Sequence, residues 1–368
     1  MKFVCDRQSL SEAMLNVQKA VPGKSNIPAL EGVLVRTEED CITLSGYDLE
    51  LGITTRIPAE VSEHGTIVLS ARLFSDIIRK LSDQQVSVEV NSQLLTTIKT
   101  QQTEFTIIGI DADEFPEMPD LDGEITLSLD QLTLKSMIDQ TLYAVAQTDQ
   151  KPVHTGIKFE AEDGMLTLVT VDGYRLALRR EHADTHQNCQ FIVPGKAASE
   201  ISKLVKDSDE VAEIYLSDKH ILFKVNGYHI ISRLLEGNFL DYKNSIPKES
   251  ETTVLCSTRD FIDSVERASI IISDRFKNPL KITFEGSTVS VLCKTPLGKV
   301  QDAFTANKQG DDVEIGFNNK YLLDALKYTH CDEVKLSFGG SLAPMTITPP
   351  EGDSFLFLVL PVRLKNEN

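Results

Sequence analysis

The sequence predicts an α+β fold of three similar tandem domains, each with two helices packed on antiparallel sheets. One observation is a pair of basic residues, seven positions apart, that recurs twice at a fixed interval along the chain. The pairs are Arg72 and Arg79, Lys196 and Lys203, and Lys320 and Lys327. A second observation is that each third opens with a short strand and a helix. A third is that alternating apolar segments follow, as in antiparallel sheets.

The opening helices have apolar residues spaced i, i+4, which places them on one face toward a core. The openings are Phe3–Cys5 before Leu10 and Met14, Leu127–Leu129 before Leu134 and Ile138, and Val254–Cys256 before Phe261 and Val265. Apolar residues alternate in the segments that follow, and turns such as Asp163-Gly164 and Glu285-Gly286 predict hairpins between them. The alternating segments are Gly32–Val35, Cys41–Leu44, Ile157–Phe159, Met165–Thr170, Ile282–Phe284 and Thr288–Leu292.

A second strand and helix follow in every third, beginning at Ile67, Phe191 and Val313. The six predicted helices cover residues 8–20, 71–81, 130–147, 196–206, 259–269 and 319–328. Stretches rich in proline and acidic residues, around Phe115–Gly123 and Pro247–Thr252, are typical of linkers. We therefore predict an N-terminal domain at 1–119, a central domain at 126–247 and a C-terminal domain at 253–368.

The composition is that of an ordinary globular protein, with 368 residues, 41% hydrophobic and 25% charged. The six cysteines are scattered without a CxxC motif, which favours reduced thiols. The N-terminus has no apolar signal core, and the longest apolar run, Phe355–Leu360, is too short to span a bilayer. We expect a cytoplasmic protein that does not bind membranes.

Basic residues are concentrated on the predicted helices. These helices hold 12 basic and 9 acidic residues, although the whole chain has a net charge of −18. Residues seven apart share a helix face, so three equivalent helices present the same basic face. Further basic residues lie at or beyond helix ends: Lys24, Lys80, Lys206 and Arg275. This segregation predicts weak, salt-sensitive and sequence-independent contact with phosphates.

An alternative is a solvated helix face held by weak side-chain pairs. An acidic residue follows the first base of each pair by four positions: Asp76, Glu200 and Asp324. On a single helix, such i, i+4 pairs contribute only a few tenths of a kcal/mol and need no ligand. The repetition on three helices favours the phosphate-binding interpretation.

No recognisable catalytic motif occurs. Gly23-Lys24-Ser25 resembles the end of a phosphate-binding loop, but Gln18 stands where the first glycine is required. His182 and His186 fall in a polar segment that is typical of a loop rather than a metal-binding helix. We therefore predict a non-catalytic protein without cofactor or metal. Two alternatives stay open: an enzyme whose site assembles from distant residues, and a scaffold that binds only proteins.

Three stretches carry a resemblance to a known family: TVDGYRLALR at Thr170–Arg179, LLEGNFLDYKNSIP at Leu234–Pro247 and LVLPVRL at Leu358–Leu364. With the threefold repeat, they resemble the bacterial DNA polymerase III β subunit, the sliding clamp. The resemblance covers essentially the whole chain. It implies the DNA clamp fold and a head-to-tail homodimeric ring whose helices surround double-stranded DNA. Such a ring gives the replicative DNA polymerase processivity and is opened by a clamp loader.

The resemblance also implies a groove between the second and third domains for peptide motifs of polymerase, clamp loader and other clamp-motif proteins. The implied groove residues are His154, Asp172, Gly173, Tyr174, Arg175, Leu176, Leu240, Asn244, Pro344, Leu358, Val359, Leu360, Pro361, Val362, Arg363 and Leu364. An apolar cleft of this kind would bury leucine and phenylalanine side chains of a partner. This chain departs from the family at His154, Leu240, Asn244, Leu360 and Val362, so the family's peptide preference does not transfer directly.

A dimer interface between the first domain of one subunit and the third of the other is likewise implied. Phe105 and Ile107 would meet Ile270 and Ile271. The segment Glu104–Ile108 has the pattern of an edge strand, and exposed strand edges need covering. A head-to-tail contact that closes after two subunits gives a ring rather than a filament.

Overall fold

A computed structural model describes residues 1–121, 126–148, 151–206, 210–273 and 278–364. All six predicted helices are confirmed: α1 (Arg7–Val17), α2 (Ala71–Lys80), α3 (Gln131–Leu142), α4 (Gly195–Leu204), α5 (Thr258–Ser269) and α6 (Asn319–Lys327). Two helices end three or more residues before their predicted ends. A 3₁₀ turn, Gln18–Ala20, follows α1, and α3 ends at Leu142 instead of reaching residue 147. Arg275, predicted to bind DNA, lies outside the described residues.

The strands account for most of the regular structure. In chain order they are β1 (Lys2–Asp6), β2 (Gly32–Thr37), β3 (Cys41–Tyr47), β4 (Leu51–Glu63), β5 (Thr66–Ser70), β6 (Gln85–Val90), β7 (Leu95–Lys99), β8 (Glu104–Ile108), β9 (Leu127–Asp130), β10 (Gly156–Glu162), β11 (Met165–Val171), β12 (Arg175–His182), β13 (Asp184–Thr185), β14 (Cys189–Pro194), β15 (Val211–Leu216), β16 (His220–Val225), β17 (Tyr228–Arg233), β18 (Thr252–Ser257), β19 (Leu280–Glu285), β20 (Thr288–Thr295), β21 (Gly298–Thr305), β22 (Asn307–Gln309), β23 (Val313–Phe317), β24 (Glu333–Phe338), β25 (Met345–Thr348) and β26 (Phe355–Val359). Every strand pairing within the two units described below is antiparallel, as predicted.

The first compact unit comprises Met1–Leu134 and Ser199–Leu234. Its main sheet has the order β9-β15-β16-β17-β4-β1-β6-β7-β8. Helix α1 begins where the side chain of Asp6 accepts a 2.7 Å hydrogen bond from the backbone N–H of Ser9, a standard N-cap. Helices α1 and α2 bury Leu10 and Phe74 completely, so their polar faces are left toward solvent.

The second compact unit comprises Lys135–Ala198 and the residues from Leu235 onward. It has a nine-stranded sheet, β14-β10-β11-β12-β26-β25-β24-β18-β22, and a four-stranded sheet, β21-β20-β19-β23. Helices α5 and α6 pack into a core through Phe261, Val265 and Leu322, which lie in one apolar cluster with Phe284 and Phe357.

The units do not follow the three predicted domains, and strand pairing explains the difference. Strand β17, from the central third of the chain, pairs with β4 of the first third. Strand β26, from the last third, pairs with β12 of the central third. Each unit therefore joins strands from two neighbouring thirds. The predicted domain boundaries concern the repeat rather than these units and stay a prediction.

The described residues contain neither a helix that could span a membrane nor a cluster of metal-binding side chains. Within these ranges, no helix combines the length and the apolar character that crossing a bilayer requires. Nor do three or more His, Cys, Asp or Glu side chains within them gather as metal ligands would.

Candidate functional sites

The described basic residues that were predicted to contact DNA all have exposed side chains: Lys24, Arg72, Arg79, Lys80, Lys196, Lys203, Lys206, Lys320 and Lys327. Helix α2 shows why. Its opposite face buries Phe74, Ile77 and Ile78, which turns Arg72 and Arg79 outward together. The predicted sharing of one exposed helix face by residues seven apart is thus confirmed.

The basic residues differ in their ionic partners. Four of them are paired: Arg79 with Asp76 at 2.7 Å, Lys203 with Glu200 at 2.8 Å, Lys206 with Glu12 at 2.5 Å, and Lys327 with Glu266 at 2.6 Å. The hydrogen bond to Glu12 raises the pKa of Lys206. Within the described part of the chain, Arg72 and Lys320 form no ion pair, and neither do Lys24 and Lys80.

On α2 and α6, the i, i+4 ion pair that the sequence alternative supposed does not form. Neither Arg72 nor Lys320 pairs with the acid four positions later. Glu200 reaches Lys19 at 3.7 Å as well as Lys203. Asp324 pairs with Arg175 of β12 at 2.6 Å. In each unit, therefore, one of these acidic residues forms an ion pair with a basic residue that is distant in sequence.

Arg175 is the ionic centre of the predicted peptide groove. Its side chain is only 7% exposed, and Nε lies 2.9 Å from Asp172 Oδ2 while Nη1 lies 2.6 Å from Asp324 Oδ2. The guanidinium carbon also lies 5.3 Å from the ring centroid of Tyr143 and 4.8 Å from that of Tyr321. Burial alone would lower the pKa of Arg175, but the bonds to the two carboxylates raise it overall. The charge is therefore already satisfied within the protein.

A tight turn before β12 sets the position of this arginine. The Asp172 carboxylate accepts hydrogen bonds from the backbone N–H groups of Tyr174 and Arg175, at 2.9 and 3.0 Å. Gly173 has φ of +90°, a conformation that glycine adopts without strain. The turn leaves Tyr174 60% exposed, and its ring stacks on Tyr321 with centroids 5.6 Å apart.

The C-terminal segment runs beside this turn. Strand β26 pairs with β12, so that Leu358 lies opposite Leu176 and Val359 opposite Arg175. Beyond the strand, the N–H of Leu360 donates to the Tyr174 carbonyl at 2.9 Å. The N–H of Val362 then donates to the carbonyl of Gly316 at 2.8 Å. A Cβ at position 316 would lie only 2.4 Å from the Val362 carbonyl oxygen, so the close approach requires glycine there.

A cavity of about 800 Å³ opens at this place. It brings together four of the predicted groove residues: Asp172, Tyr174, Arg175 and Val362. It also includes residues that the sequence analysis did not assign to the groove, among them Ile272, Pro279, Asn318, Asn319, Lys320 and Tyr321.

Other predicted groove residues lie outside this cavity. Leu176 and Leu358 are buried in an apolar cluster with Tyr242. Leu240 and Asn244 are exposed on the same segment as Tyr242, and the Asn244 amide donates to Asp241. The remaining residues are distributed as follows: Pro344 is half-buried beside β25, Pro361 and Leu364 are half-buried, and Gly173, Leu360 and Arg363 are exposed.

The ring of His154 packs against Phe239, which is not one of the predicted groove residues. The two rings are 5.4 Å apart and nearly perpendicular. Burial and the nearby Lys151 lower the pKa of His154. The imidazole is therefore neutral at physiological pH and serves as part of the packing around Phe239.

The residues predicted for a dimer interface lie on strand β8 and just beyond the end of helix α5. Strand β8 pairs with β7 and lies at the end of the sheet order, so its prediction as an edge strand is confirmed. Phe105 is 37% exposed on this strand, and Ile107 is half-buried. Ile270, just after α5, is 80% exposed. Its neighbour Ile271 is half-buried and packs against the core of the second unit.

Comparison with known proteins gives a consistent result over the whole chain. Three family models match: the N-terminal domain of the DNA polymerase III beta subunit at residues 1–119, its central domain at 128–241 and its C-terminal domain at 243–363. The beta sliding clamp of Bacillus subtilis is 33% identical over 376 residues, covering 99% of this chain and 100% of the relative. That of Halalkalibacterium halodurans is 35% identical over 380 residues, with the same coverage. A crystal structure of the DNA polymerase sliding clamp from Bacillus subtilis superposes with a TM-score of 0.96 at 32% identity, covering 99% of this chain and 100% of that one.

Proposed function

The chain belongs to the bacterial DNA polymerase III β subunit family, and we propose that it works as a closed ring around duplex DNA. It is a sliding clamp, the non-catalytic subunit that keeps the replicative DNA polymerase on its template and so confers processivity. Its contacts with DNA are independent of sequence, because a ring that slides must accept every base pair equally.

The observation that most supports DNA contact is the repetition of exposed basic pairs at equivalent positions on three helices. A chain with net charge −18 carries exposed basic pairs at the same register on α2, α4 and α6. We assign DNA contact to this set together with the neighbouring basic residues: Lys24, Arg72, Arg79, Lys80, Lys196, Lys203, Lys206, Arg275, Lys320 and Lys327. Contact of this kind depends on salt and carries no sequence information.

We further propose that two copies close the ring head to tail. The exposed edge of β8 with Phe105, and the exposed Ile270, support this arrangement, because apolar edges of this kind are covered in stable proteins. A C-terminal repeat in one subunit would then meet an N-terminal repeat in the other. The repeats are proposed to span residues 1–119, 126–247 and 253–368.

The cavity beside Arg175 is the proposed docking site for short peptide motifs. Its lining includes Tyr174, Tyr321 and Ile272, which suit leucine and phenylalanine side chains of an extended peptide. The proposed partners are the replicative DNA polymerase, the clamp loader and other proteins with such motifs. We propose that these interactions take place in the cytoplasm, where the bacterial chromosome is replicated.

The ring proposal is tested by comparing two DNA topologies. The protein is loaded onto a nicked circular duplex, and half of the sample is then linearised with a restriction enzyme. We expect the protein to stay on the circle and to leave the linear DNA quickly, because a ring slides off free ends. Equal rates of loss from both DNAs would overturn encirclement.

A further inference from the structure

The two basic residues on helix α2 share one face but not one ionic environment. Arg72 is exposed and forms no ion pair within the described residues. Arg79 donates from Nη2 to Asp76 Oδ1 at 2.7 Å, and both side chains of that pair are about half-exposed. The local charge at the second position is therefore close to zero, whereas Arg72 presents a full positive charge.

The same asymmetry recurs on the equivalent helix of the second unit. Lys320 has no ion-pair partner among the residues that the structure describes. Lys327 lies 2.6 Å from Glu266 of the neighbouring helix α5. In the first unit, Lys203 and Lys206 are likewise paired, with Glu200 and Glu12. An acidic residue thus neutralises the second basic position on each of the three helices: Asp76 on α2 and Glu200 on α4 come from the same helix, and Glu266 comes from α5.

We propose that these acidic residues limit how strongly the helices hold DNA, so that the unpaired first positions, Arg72 and Lys320, carry the phosphate contact. The proposal rests on the proposed function, since it assumes that these helix faces meet duplex DNA. The restraining residues are Glu12, Asp76, Glu200 and Glu266. They set the affinity for DNA without touching DNA themselves.

The physical basis is counterion release. Each basic residue that neutralises a phosphate adds about 0.9 to the slope of log affinity against log salt concentration. A cation that already has a carboxylate beside it adds little, because the carboxylate repels the same phosphate that the cation attracts. A small number of unpaired cations gives loose contact, which suits a protein that must move along DNA.

The test uses the full-length protein and a short fluorescein-labelled duplex that can thread through a ring. Affinity is measured by fluorescence anisotropy at several salt concentrations, with thermal melting of each variant as a check on folding. Arg72→Gln should lower the salt slope by about 0.9, which corresponds to one lost phosphate contact. The double variant Asp76→Asn/Arg79→Gln removes a neutral pair and should leave the slope at the wild-type value.

Two further variants complete the comparison. Asp76→Asn alone frees Arg79 and should raise both the affinity and the slope, the latter by about 0.9. Lys219→Gln removes an exposed, unpaired charge from the turn between β15 and β16 and should change neither. The comparison repeats on α6, with Lys320→Gln set against Glu266→Gln/Lys327→Gln.

The outcomes separate the inference from the function on which it rests. If Arg72→Gln and the double variant reduce the slope equally, Arg79 is also a phosphate contact and the inference is wrong. If Asp76→Asn has no effect, or if the wild type shows no measurable duplex binding at the lowest salt, the inference is also wrong. Failure of the ring proposal would show instead as equal loss of the wild-type protein from circular and linear DNA.

Discussion

Arg175 illustrates how one residue can organise a site without offering its charge to a ligand. Two carboxylates, Asp172 and Asp324, and two aromatic rings surround its guanidinium. A buried arginine with both carboxylates in place is satisfied, and it holds the turn that presents Tyr174. A partner peptide would therefore meet a rigid wall at this point rather than a free cation.

Removing one of the two carboxylates should show how much the stability of the fold depends on the pairing of Arg175. Asp324→Asn is expected to lower the free energy of unfolding by about 1–3 kcal/mol, because it leaves a mostly buried arginine with one anionic partner. Urea denaturation would measure the loss. Asp263→Asn is the matched control, because the pair between Asp263 and Arg259 is 4.0 Å long and exposed, and its loss should cost less than about 0.5 kcal/mol. Similar losses in both variants would contradict the central role of Arg175.

The hydrogen bond between the hydroxyl of Tyr242 and the carboxylate of Glu160 should make stability depend on pH. Burial would raise the pKa of Glu160, but the bonds from Tyr242 and Lys158 lower it overall. A lowered pKa in the folded state means that the ionised carboxylate stabilises the fold. That stabilisation is present above the ordinary carboxyl pKa of about 4.3 and is lost as pH falls through the lowered value.

Tyr242→Phe is therefore expected to cost about 1–3 kcal/mol at pH 7, where Glu160 is ionised. The cost should shrink as the pH falls through the pKa of Glu160, because a protonated carboxyl loses less when the hydroxyl is absent. Urea denaturation at neutral and acidic pH would measure both values. Tyr174→Phe serves as the control, since the Tyr174 ring is 60% exposed. A cost that stays constant with pH would refute this account.

Single residues were predictable where the family resemblance named them and unpredictable where their partners lie far away in sequence. The resemblance identified Arg175, but nothing in the sequence linked it to Asp324, which looked like one member of a helix-surface pair. Tyr321 was missed for the same reason. Its role depends on stacking against Tyr174, and only the fold brings these rings together.

Among the elements, strand β8 and the end of α5 carry the exposed apolar residues proposed to join two subunits. Ile270→Asp should convert the dimer to a monomer, because it would place a charge in an apolar contact. Sedimentation velocity at micromolar concentration would measure the change. Leu342→Asp is the matched control, since Leu342 is 74% exposed in the second unit but lies outside the proposed interface. A dimeric Ile270→Asp variant, or a monomeric wild type, would refute the assignment.

Helix and strand positions were largely predictable because local patterns determine them. The i, i+4 apolar spacing located the three opening helices, the recurring strand-and-helix segments located the other three, and alternation located the hairpins. The end of α3 was wrong by five residues because the apolar pattern continues past Leu142. There Tyr143, Ala144 and Val145 remain buried or half-buried without continuing the helix. Burial in a turn and burial on a helix face look alike in sequence.

At the scale of the whole molecule, the salt dependence of retention on DNA should show whether encirclement or electrostatic attraction holds the protein there. Raising the salt from about 50 to 200 mM weakens a contact made by several phosphates by orders of magnitude. Retention on nicked circular DNA should nevertheless change little, because escape requires a ring to open. The affinity for a short linear duplex should fall steeply over the same range. A steep loss of both would show that charge rather than encirclement holds the protein on DNA.

The threefold repeat was visible in the sequence, but the grouping of the chain into two compact units was not. Pairing of β17 with β4 and of β26 with β12 joins neighbouring repeats through continuous sheets. No periodic pattern specifies which strand of one repeat meets which strand of the next. Such partners are set by the tertiary fold, beyond the reach of local propensity.

The pairing of a late strand with an early one also affects how the protein folds during translation. Strand β4 leaves the ribosome with one edge unprotected, and its partner β17 begins only at Tyr228. At typical synthesis rates the nascent chain waits about 10–30 s for that partner. During this interval the open edge is exposed to aggregation, so a chaperone that shields it early in synthesis would improve the yield of native protein.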